Sequence, residues 1–143
     1  MAEAKNKNYI HAVGRRKEAV ARLRLYTASS GLENVKAGDI ILNGEKIEKY
    51  FPGKIEKILY EAPLLVTKSL GKYTISIKVT GGGRSGQLDA VILGISRALS
   101  IVDPKNKEIL RKAGMLTRDA RIRQRRKVGM GGKSRRKRQS PKR

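Results

Sequence analysis

The chain contains no cysteine, no tryptophan and a single phenylalanine among its 143 residues. Without cysteine it can form no disulfide bonds, and it offers no thiolate to a metal ion. Its one histidine, His11, cannot build a metal site alone, and the sequence shows no nucleophile or paired carboxylate beside it. We therefore expect no catalysis, no cofactor and no metal site, and we interpret His11 as an ordinary strand residue.

Acidic residues are also scarce: 12 Asp and Glu stand against 34 Lys and Arg, for a net charge of +22. Such a chain repels itself unless an anion compensates the charge, and the candidates are nucleic acid, an anionic membrane or an acidic protein. Apolar runs such as Leu64–Val66 are far too short to span a bilayer, and no apolar secretory stretch follows Met1. We expect a cytoplasmic protein whose partner is nucleic acid, with no membrane and no small-molecule substrate.

The charge is unevenly distributed along the chain. From Arg111 onward there are 15 basic residues and one acid, a net of +14, whereas the preceding part has a net of +8. Beyond Gly129 there is hardly any apolar side chain, so that segment cannot bury enough surface to fold alone. We predict an RNA-binding domain over residues 1–114 and a basic C-terminal arm over residues 115–143 that is disordered when the protein is free.

Alternating apolar residues predict three strands. Within Tyr9–Tyr26, Ala19 to Leu25 alternate with two arginines, and Gly14–Lys17 interrupts the pattern like a turn or bulge. Asp39–Leu42 predicts a short strand before the turn dipeptide Asn43-Gly44. The clearest alternation runs from Lys72 to Thr80.

Helical spacing predicts the remaining elements. The clearest is Gln87–Val102, whose apolar residues form one stripe with Arg97 outside it. Asp103-Pro104 ends this helix and caps a second one, Lys105–Lys112, which Gly114 closes. The other candidates are listed here: Glu45–Tyr50, Ile55–Glu61, a helix Leu64–Leu70 begun by Pro63 and ended by Gly71, and Thr117–Lys127 with Asp119 near its positive end.

The run Gly81–Gly86 formally matches G-x-G-x-x-G between a strand and a helix. No second βαβ half follows it, and no Lys follows Gly86, which argues against a dinucleotide site and a P-loop. Two interpretations remain: a purely structural tight turn, or a turn whose amides and Arg84 hold an RNA phosphate.

Several segments are identified together as motifs of the small-subunit ribosomal protein nine family. Ala12–Arg22 resembles its N-terminal signature, and Gly81–Gln87 with Gly94–Leu99 resembles its central motif. Leu116–Arg121 resembles its most diagnostic C-terminal element, and the final Lys142-Arg143 is similar to the family ending. The order and spacing match from Tyr9 to the end of the chain.

The resemblance implies an α+β fold: a small four-stranded sheet covered by helices, with a left-handed βαβ crossover like that of the second domain of ribosomal protein five, plus the extended arm. The general rule for such crossovers is right-handed. It also implies binding to the 3′ major (head) domain of small-subunit ribosomal RNA, beside other head proteins, and an arm that reaches the peptidyl-site transfer RNA. The alternative function is a stand-alone RNA-binding protein or RNA chaperone.

We expect RNA contacts from the basic residues of the domain and the arm, since phosphate contacts dominate such interfaces. In the domain these are Arg15, Arg16, Lys17, Arg22, Arg24, Lys78, Arg84 and Arg97. In the arm they are Arg118, Arg121, Arg123, Arg125, Arg126, Lys127, Lys133, Arg135, Arg136, Lys137 and Arg138, with Lys142 and Arg143 assigned to transfer RNA. The arm departs from the family where Gln139 replaces an aromatic residue and Pro141 separates Ser140 from Lys142.

Overall fold

The computed structural model describes residues 9–27 and 38–131. The elements in these ranges are β1 (Tyr9–Arg16), β2 (Ala19–Tyr26), β3 (Ile40–Leu42), β4 (Glu45–Lys46), α1 (Ile47–Tyr50), α2 (Lys54–Val66), β5 (Thr74–Thr80), α3 (Arg84–Val102) and α4 (Pro104–Lys112). The α+β class that the family resemblance implied is confirmed.

One mixed sheet carries all five of these strands, in the order β1-β2-β5-β3-β4. Neighbouring strands are antiparallel except for β3 and β5, which are parallel and are connected through α1 and α2. The expected number of four strands was wrong by one. Because Asn43 and Gly44 take positive φ values of 51° and 93°, the chain turns back tightly enough for two residues to pair as β4 where a helix from Glu45 was expected.

The first two strands form a hairpin whose turn lies later than the sequence indicated. Gly14, Arg15 and Arg16 belong to β1, and the turn is Lys17-Glu18, with Lys17 at a φ of 51°. Gly14 does not form a turn; it lets β1 pack closely against α3. A Cβ there would lie 1.8 Å from the carbonyl oxygen of Ala90 in α3, so only glycine lets β1 approach this helix.

Helix α3 covers one face of the sheet and forms the centre of the core. Its predicted apolar stripe is confirmed, with Leu88, Val91, Ile95 and Leu99 buried against strand residues such as Leu23. The helix begins three residues earlier than expected, at Arg84. By length and mean hydropathy α3 could also cross a membrane, but more than half of that window is buried within the fold, as in a core helix.

The predicted break at Pro63 is wrong. Pro63 lies inside α2, which continues to Val66, and the helix expected over Leu64–Leu70 does not form. A proline inside a helix loses one backbone hydrogen bond. Here Tyr60, Pro63 and Leu64 are buried on the side of α2 that faces the core, and this packing outweighs the lost bond.

The end of the domain follows the sequence rules closely. The Asp103 carboxylate accepts a hydrogen bond from the backbone N–H of Lys105 at 2.9 Å, so it caps α4 as expected. Gly114, at a φ of 72°, ends α4, and the N–H of Met115 donates to the carbonyl of Leu110 at 3.0 Å in a Schellman motif.

The helix expected over Thr117–Lys127 is absent, and this stretch has no regular secondary structure. The backbone N–H of Arg121 donates to the Asp119 carboxylate at 2.9 Å, a local side-chain turn that competes with a helix. The arginines that would cover the helix are exposed and offer it no apolar face to bury.

Candidate nucleic-acid interface

The face of the sheet opposite α3 is basic and open to solvent. Strand alternation places Arg22 and Arg24 of β2 and Lys78 of β5 on this face, and all three are exposed. They line a concavity of about 650 Å³ together with Tyr9, His11 and Ser76. The three strands β1, β2 and β5, which the structure describes in full, contain no acidic residue. We call this surface of the three strands the open face.

The open face concentrates positive charge, and no acidic side chain pairs with it in the part of the chain that the structure describes. Arg22 lies directly opposite Lys78 in the β2–β5 register, and like charges in such a position destabilise a sheet. The Arg24 guanidinium lies 5.1 Å from the centre of the Tyr9 ring, which fits a cation–π contact. An arrangement of this kind suits RNA, whose phosphates carry negative charge and whose flat bases can stack on aromatic rings and guanidinium groups.

Tyr9 is a candidate contact that the sequence interpretation missed. Its ring lies 5.7 Å from that of Tyr26, its partner in the β1–β2 register. The hairpin register brings Tyr9 beside Arg24, and that register depends on where the turn lies. A sequence prediction that placed the turn at Lys17-Glu18 would have given this register and so would have identified Tyr9 as a neighbour of Arg24.

Two further predicted residues extend the open face towards the hairpin turn. Arg15 is exposed and pairs in register with Val20, and Lys17 is exposed in the turn itself. Neither side chain is among the hydrogen bonds or ion pairs found within residues 9–27 and 38–131. Both are therefore available to a phosphate.

Arg84, at the start of α3, already has a protein partner. Its guanidinium donates to the Glu56 carboxylate at 2.9 Å, and this hydrogen bond holds the pKa of Glu56 below its ordinary value. Gly81 and Gly82, which precede Arg84, let their backbone lie close to the backbone of Glu18 and Ala19. A Cβ on Gly81 would lie 2.6 Å from the carbonyl oxygen of Glu18, and one on Gly82 would lie 2.8 Å from the nitrogen of Ala19.

Arg16 and Arg97 point away from the open face. Arg97 donates to the backbone carbonyl of Val13 at 2.7 Å, on the edge strand β1. The side chain of Arg16 is only 15% exposed and contacts Asp89 of α3 and Asp119 of the arm. Both were predicted to contact RNA, and the structure gives both intramolecular partners.

The described part of the arm is exposed from Ala120 to Met130, while Met115, Leu116 and Asp119 are partly buried. Its predicted contact residues Arg118, Arg121, Arg123, Arg125, Arg126 and Lys127 are all exposed. Arg121 also forms a bidentate pair with Asp119, with its Nη2 2.8 Å from Oδ2. The remaining predicted residues, Lys133, Arg135, Arg136, Lys137, Arg138, Lys142 and Arg143, lie outside the described residues.

Within residues 9–27 and 38–131, no group of three His, Asp or Glu side chains could hold a metal ion. The chemistry of the described surface is that of cations and hydrogen-bond donors, which bind phosphate by charge and by fork-shaped donor geometry.

Comparison with known proteins assigns the chain to a family. The model of the family described as ribosomal protein S9/S16 matches residues 14–143. The chain belongs to the ribosomal protein S9/S16 family. Among curated relatives, small ribosomal subunit protein uS9 of Maridesulfovibrio salexigens is 46% identical over 127 residues, covering 89% of this chain and 92% of the relative. The uS9 protein of Lawsonia intracellularis is 48% identical over 120 residues, covering 84% and 86%.

Family membership settles the general role of the chain. A protein of the S9/S16 family is a structural, non-enzymatic constituent of the small ribosomal subunit, so its partners are ribosomal RNA and the ribosome. The ribosome is cytoplasmic in bacteria. The resemblance found in the sequence motifs is thereby confirmed.

Proposed function

We propose that the chain binds the 3′ major (head) domain of small-subunit ribosomal RNA through the open face. The observation that carries the proposal is the acid-free concavity lined by Arg22, Arg24 and Lys78. Arg22 and Lys78 lie opposite one another, and none of the three has an acidic partner within residues 9–27 and 38–131. Arg15 and Lys17 extend the same contact surface at the hairpin turn. Arg84 contributes less, because a phosphate must compete there with Glu56.

The test is the salt dependence of binding to a transcript of the head domain. Each neutralised phosphate contributes about 0.7–0.9 to the slope of log affinity against log salt. Replacing Arg22, Arg24 and Lys78 together with Ala should flatten that slope by roughly two units. Lys105, Lys107 and Lys112 on α4 provide a matched control with the same charge loss. Equal effects of the two triple variants would contradict the proposal.

The arm is proposed to continue from the head domain to the peptidyl-site transfer RNA, with Lys142 and Arg143 at its tip. Family membership and the exposed cations from Arg118 to Lys127 support this path. The sixteen residues from Val128 to Arg143 could extend about 50 Å. The division into a domain over residues 1–114 and an arm that is disordered when free belongs to the same proposal.

The fold within the family is proposed to have a left-handed crossover between β3 and β5. The parallel pairing of these strands and the two helices between them support a crossover of the βαβ type. An experimental structure of the subunit would give its hand directly.

Neighbouring head proteins are proposed to contact the chain on α2. This helix exposes Ile55 and Ile58, which are 74% and 64% accessible. Residues 47–66 contain three Lys and three Glu, so this surface is electrically neutral in a strongly basic chain. A neutral apolar surface suits a protein better than RNA. Replacing both isoleucines with Ser should reduce cross-links to head proteins without changing the salt slope for RNA.

A further inference from the structure

Arg16 joins three parts of the molecule. It lies in β1 on the side that faces α3, where its Nε is 3.3 Å from the Asp89 carboxylate. Its Nη2 is 3.1 Å from the Asp119 carboxylate, and its Nη1 donates to the backbone carbonyl of Arg121 at 2.9 Å. All three guanidinium nitrogens are thus used within the protein. We call Arg16, Asp89, Asp119 and Arg121 the Arg16 cluster.

The Arg16 cluster is the polar connection between the domain and the start of the arm. Across the described chain, the side-chain hydrogen bonds and ion pairs that link residues 115–131 to the domain all come from Arg16. Met115 and Leu116 add apolar packing against the core. Residues 121–130 are exposed. The polar side-chain contacts that hold the arm to the domain therefore extend to Arg121, beyond Gly114, where the last helix stops.

The Arg16 cluster gives a structural role to Asp119, an acidic residue in an otherwise basic segment. Asp119 is the only acidic residue from Arg111 to the end of the chain. Its carboxylate bridges two guanidinium groups, those of Arg16 and Arg121. Asp89 supplies a second carboxylate to Arg16, so the charge of Arg16 is balanced within the protein. A phosphate would have to displace these partners to bind it.

We propose that Arg16 is a positioning residue that fixes where the arm leaves the domain. The stretch of arm beyond this anchor then begins at Ile122 and not at Met115. A shorter tether with a fixed origin confines the arm to a smaller region, which favours one path over others. The inference rests on the described contacts of the free chain and stands whether or not the arm reaches transfer RNA.

Backbone relaxation of the free, full-length protein tests the proposal. Amides of residues 117–121 should have order parameters near 0.85 and those beyond Arg121 should fall towards 0.6 or below. Asp119→Asn removes the charge of the bridging carboxylate and leaves every contact within the domain intact. In this variant, and in Arg16→Ala, residues 117–121 should become as mobile as the residues that follow them.

Arg15→Ala is the matched control. It removes the same charge from the neighbouring position, but Arg15 belongs to the open face and not to the cluster. The order parameters of residues 117–121 should not change in this variant, and a melting curve should show that all three variants fold. The proposal is overturned if residues 117–121 are mobile in the unmodified protein, or if Arg15→Ala and Arg16→Ala loosen them equally.

A second readout separates positioning from direct phosphate contact. Arg15→Ala should lower the salt slope for head-domain RNA by about 0.7–0.9, as expected for a lost phosphate contact. Arg16→Ala should lower it by less than half as much. Equal changes in slope would show that Arg16 binds phosphate and would contradict the positioning role, while relaxation would still report the state of the free arm.

Discussion

At the scale of single residues, the open face holds more positive charge than the folded protein itself favours. Arg22 and Lys78 lie opposite one another on adjacent strands, and no carboxylate lies on these strands to separate them. A pair of like charges in this position costs stability in the free protein. In the proposed function this cost is offset when RNA binds the open face, so stability and RNA affinity should respond to mutation in opposite directions.

Lys78→Gln tests this opposition, because it removes the charge and keeps most of the side chain. The free energy of unfolding should rise by about 0.2–1 kcal/mol, since the repulsion from Arg22 is relieved. The salt slope for head-domain RNA should fall by about 0.7–0.9. Urea unfolding and RNA titration measure the two effects. Lys107→Gln on α4 is the control and should change neither; a loss of stability in Lys78→Gln would refute the argument.

The pKa of Asp119 determines how the Arg16 cluster should respond to pH. Hydrogen bonds from the side chain and the backbone of Arg121, together with the nearby charges, hold the pKa of Asp119 well below its ordinary value. A lowered pKa in the folded state means that the stabilisation is present above the unfolded pKa, about 3.9, and is lost as the pH falls below it. Amide exchange at residues 117–121 should therefore show the same protection from pH 5 to pH 8. Loss of protection near pH 6 would contradict this assignment.

At the scale of elements, β1 and α3 approach one another closely. Gly14 meets the backbone of α3 at Ala90 and Gly94, so the strand and the helix approach one another without side chains between them. This contact sets the angle at which α3 lies across the hairpin. It also keeps Arg16 within reach of Asp89 on the same helix.

The two glycines of this contact should differ sharply in their tolerance of alanine. A Cβ on Gly14 would lie 1.8 Å from a backbone oxygen, so Gly14→Ala should destabilise the protein by about 3 kcal/mol or more. A Cβ on Gly94 would lie 3.5 Å from its nearest neighbour, so Gly94→Ala should be neutral or should stabilise the helix by up to about 1 kcal/mol. Thermal unfolding compares them. Equal losses in both variants would mean that helix packing, and not the approach of β1, limits this contact.

The sequence predicted those elements whose packing repeats along the chain. Strands β2 and β5 and helix α3 each bury one face, and their periods of 2 and 3.6 residues are visible in the sequence. The misplaced elements depend on contacts between distant segments. Gly14 looked like a turn because its contact with α3 is 76 residues away, and Pro63 looked like a helix start because the burial around it is set by the core.

The sequence allowed us to predict which basic residues belong to the candidate site, but not how they are arranged on the surface. Arg22 and Arg24 alternate with apolar residues, so their exposure follows from the strand period. The different roles of Arg15 and Arg16 also follow from that alternation, once the strand is known to continue past Gly14. The partners of Arg16 could not be predicted, because Asp89 and Asp119 are 73 and 103 residues away in sequence.

At the scale of the whole molecule, the net charge is unevenly distributed between the proposed domain and the proposed arm. The residues from Arg111 onward carry +14 of the net charge of +22. Their cations from Arg121 to Lys127 and from Lys133 to Arg138 lie before the tip. In the proposed function, these cations therefore hold the protein in the subunit, and the tip contacts transfer RNA.

Deleting Ser140–Arg143 should separate these two tasks. The deletion removes only two cations and relocates the terminal carboxylate, so the subunit should still assemble with the protein at full occupancy. Peptidyl-site transfer RNA should bind more weakly by about 1–2 kcal/mol, as expected for a lost charged hydrogen bond. Replacing Lys142 and Arg143 with Ala in the full-length chain controls for the carboxylate. Subunits that lose the truncated protein, or that bind transfer RNA unchanged, would count against the proposed path of the arm.

The strand order also has a consequence for synthesis. The β1–β2 hairpin emerges first, but β2 pairs with β5 and its apolar face is covered by α3, both of which are translated about 50 residues or more later. Leu110 completes the core, so the domain cannot close until nearly all of it has left the exit tunnel. The highly charged residues beyond Arg111 are translated after these core residues. Nascent chains thus pass through a long stage with an uncovered hairpin, whose apolar face and unpaired strand edge favour self-association.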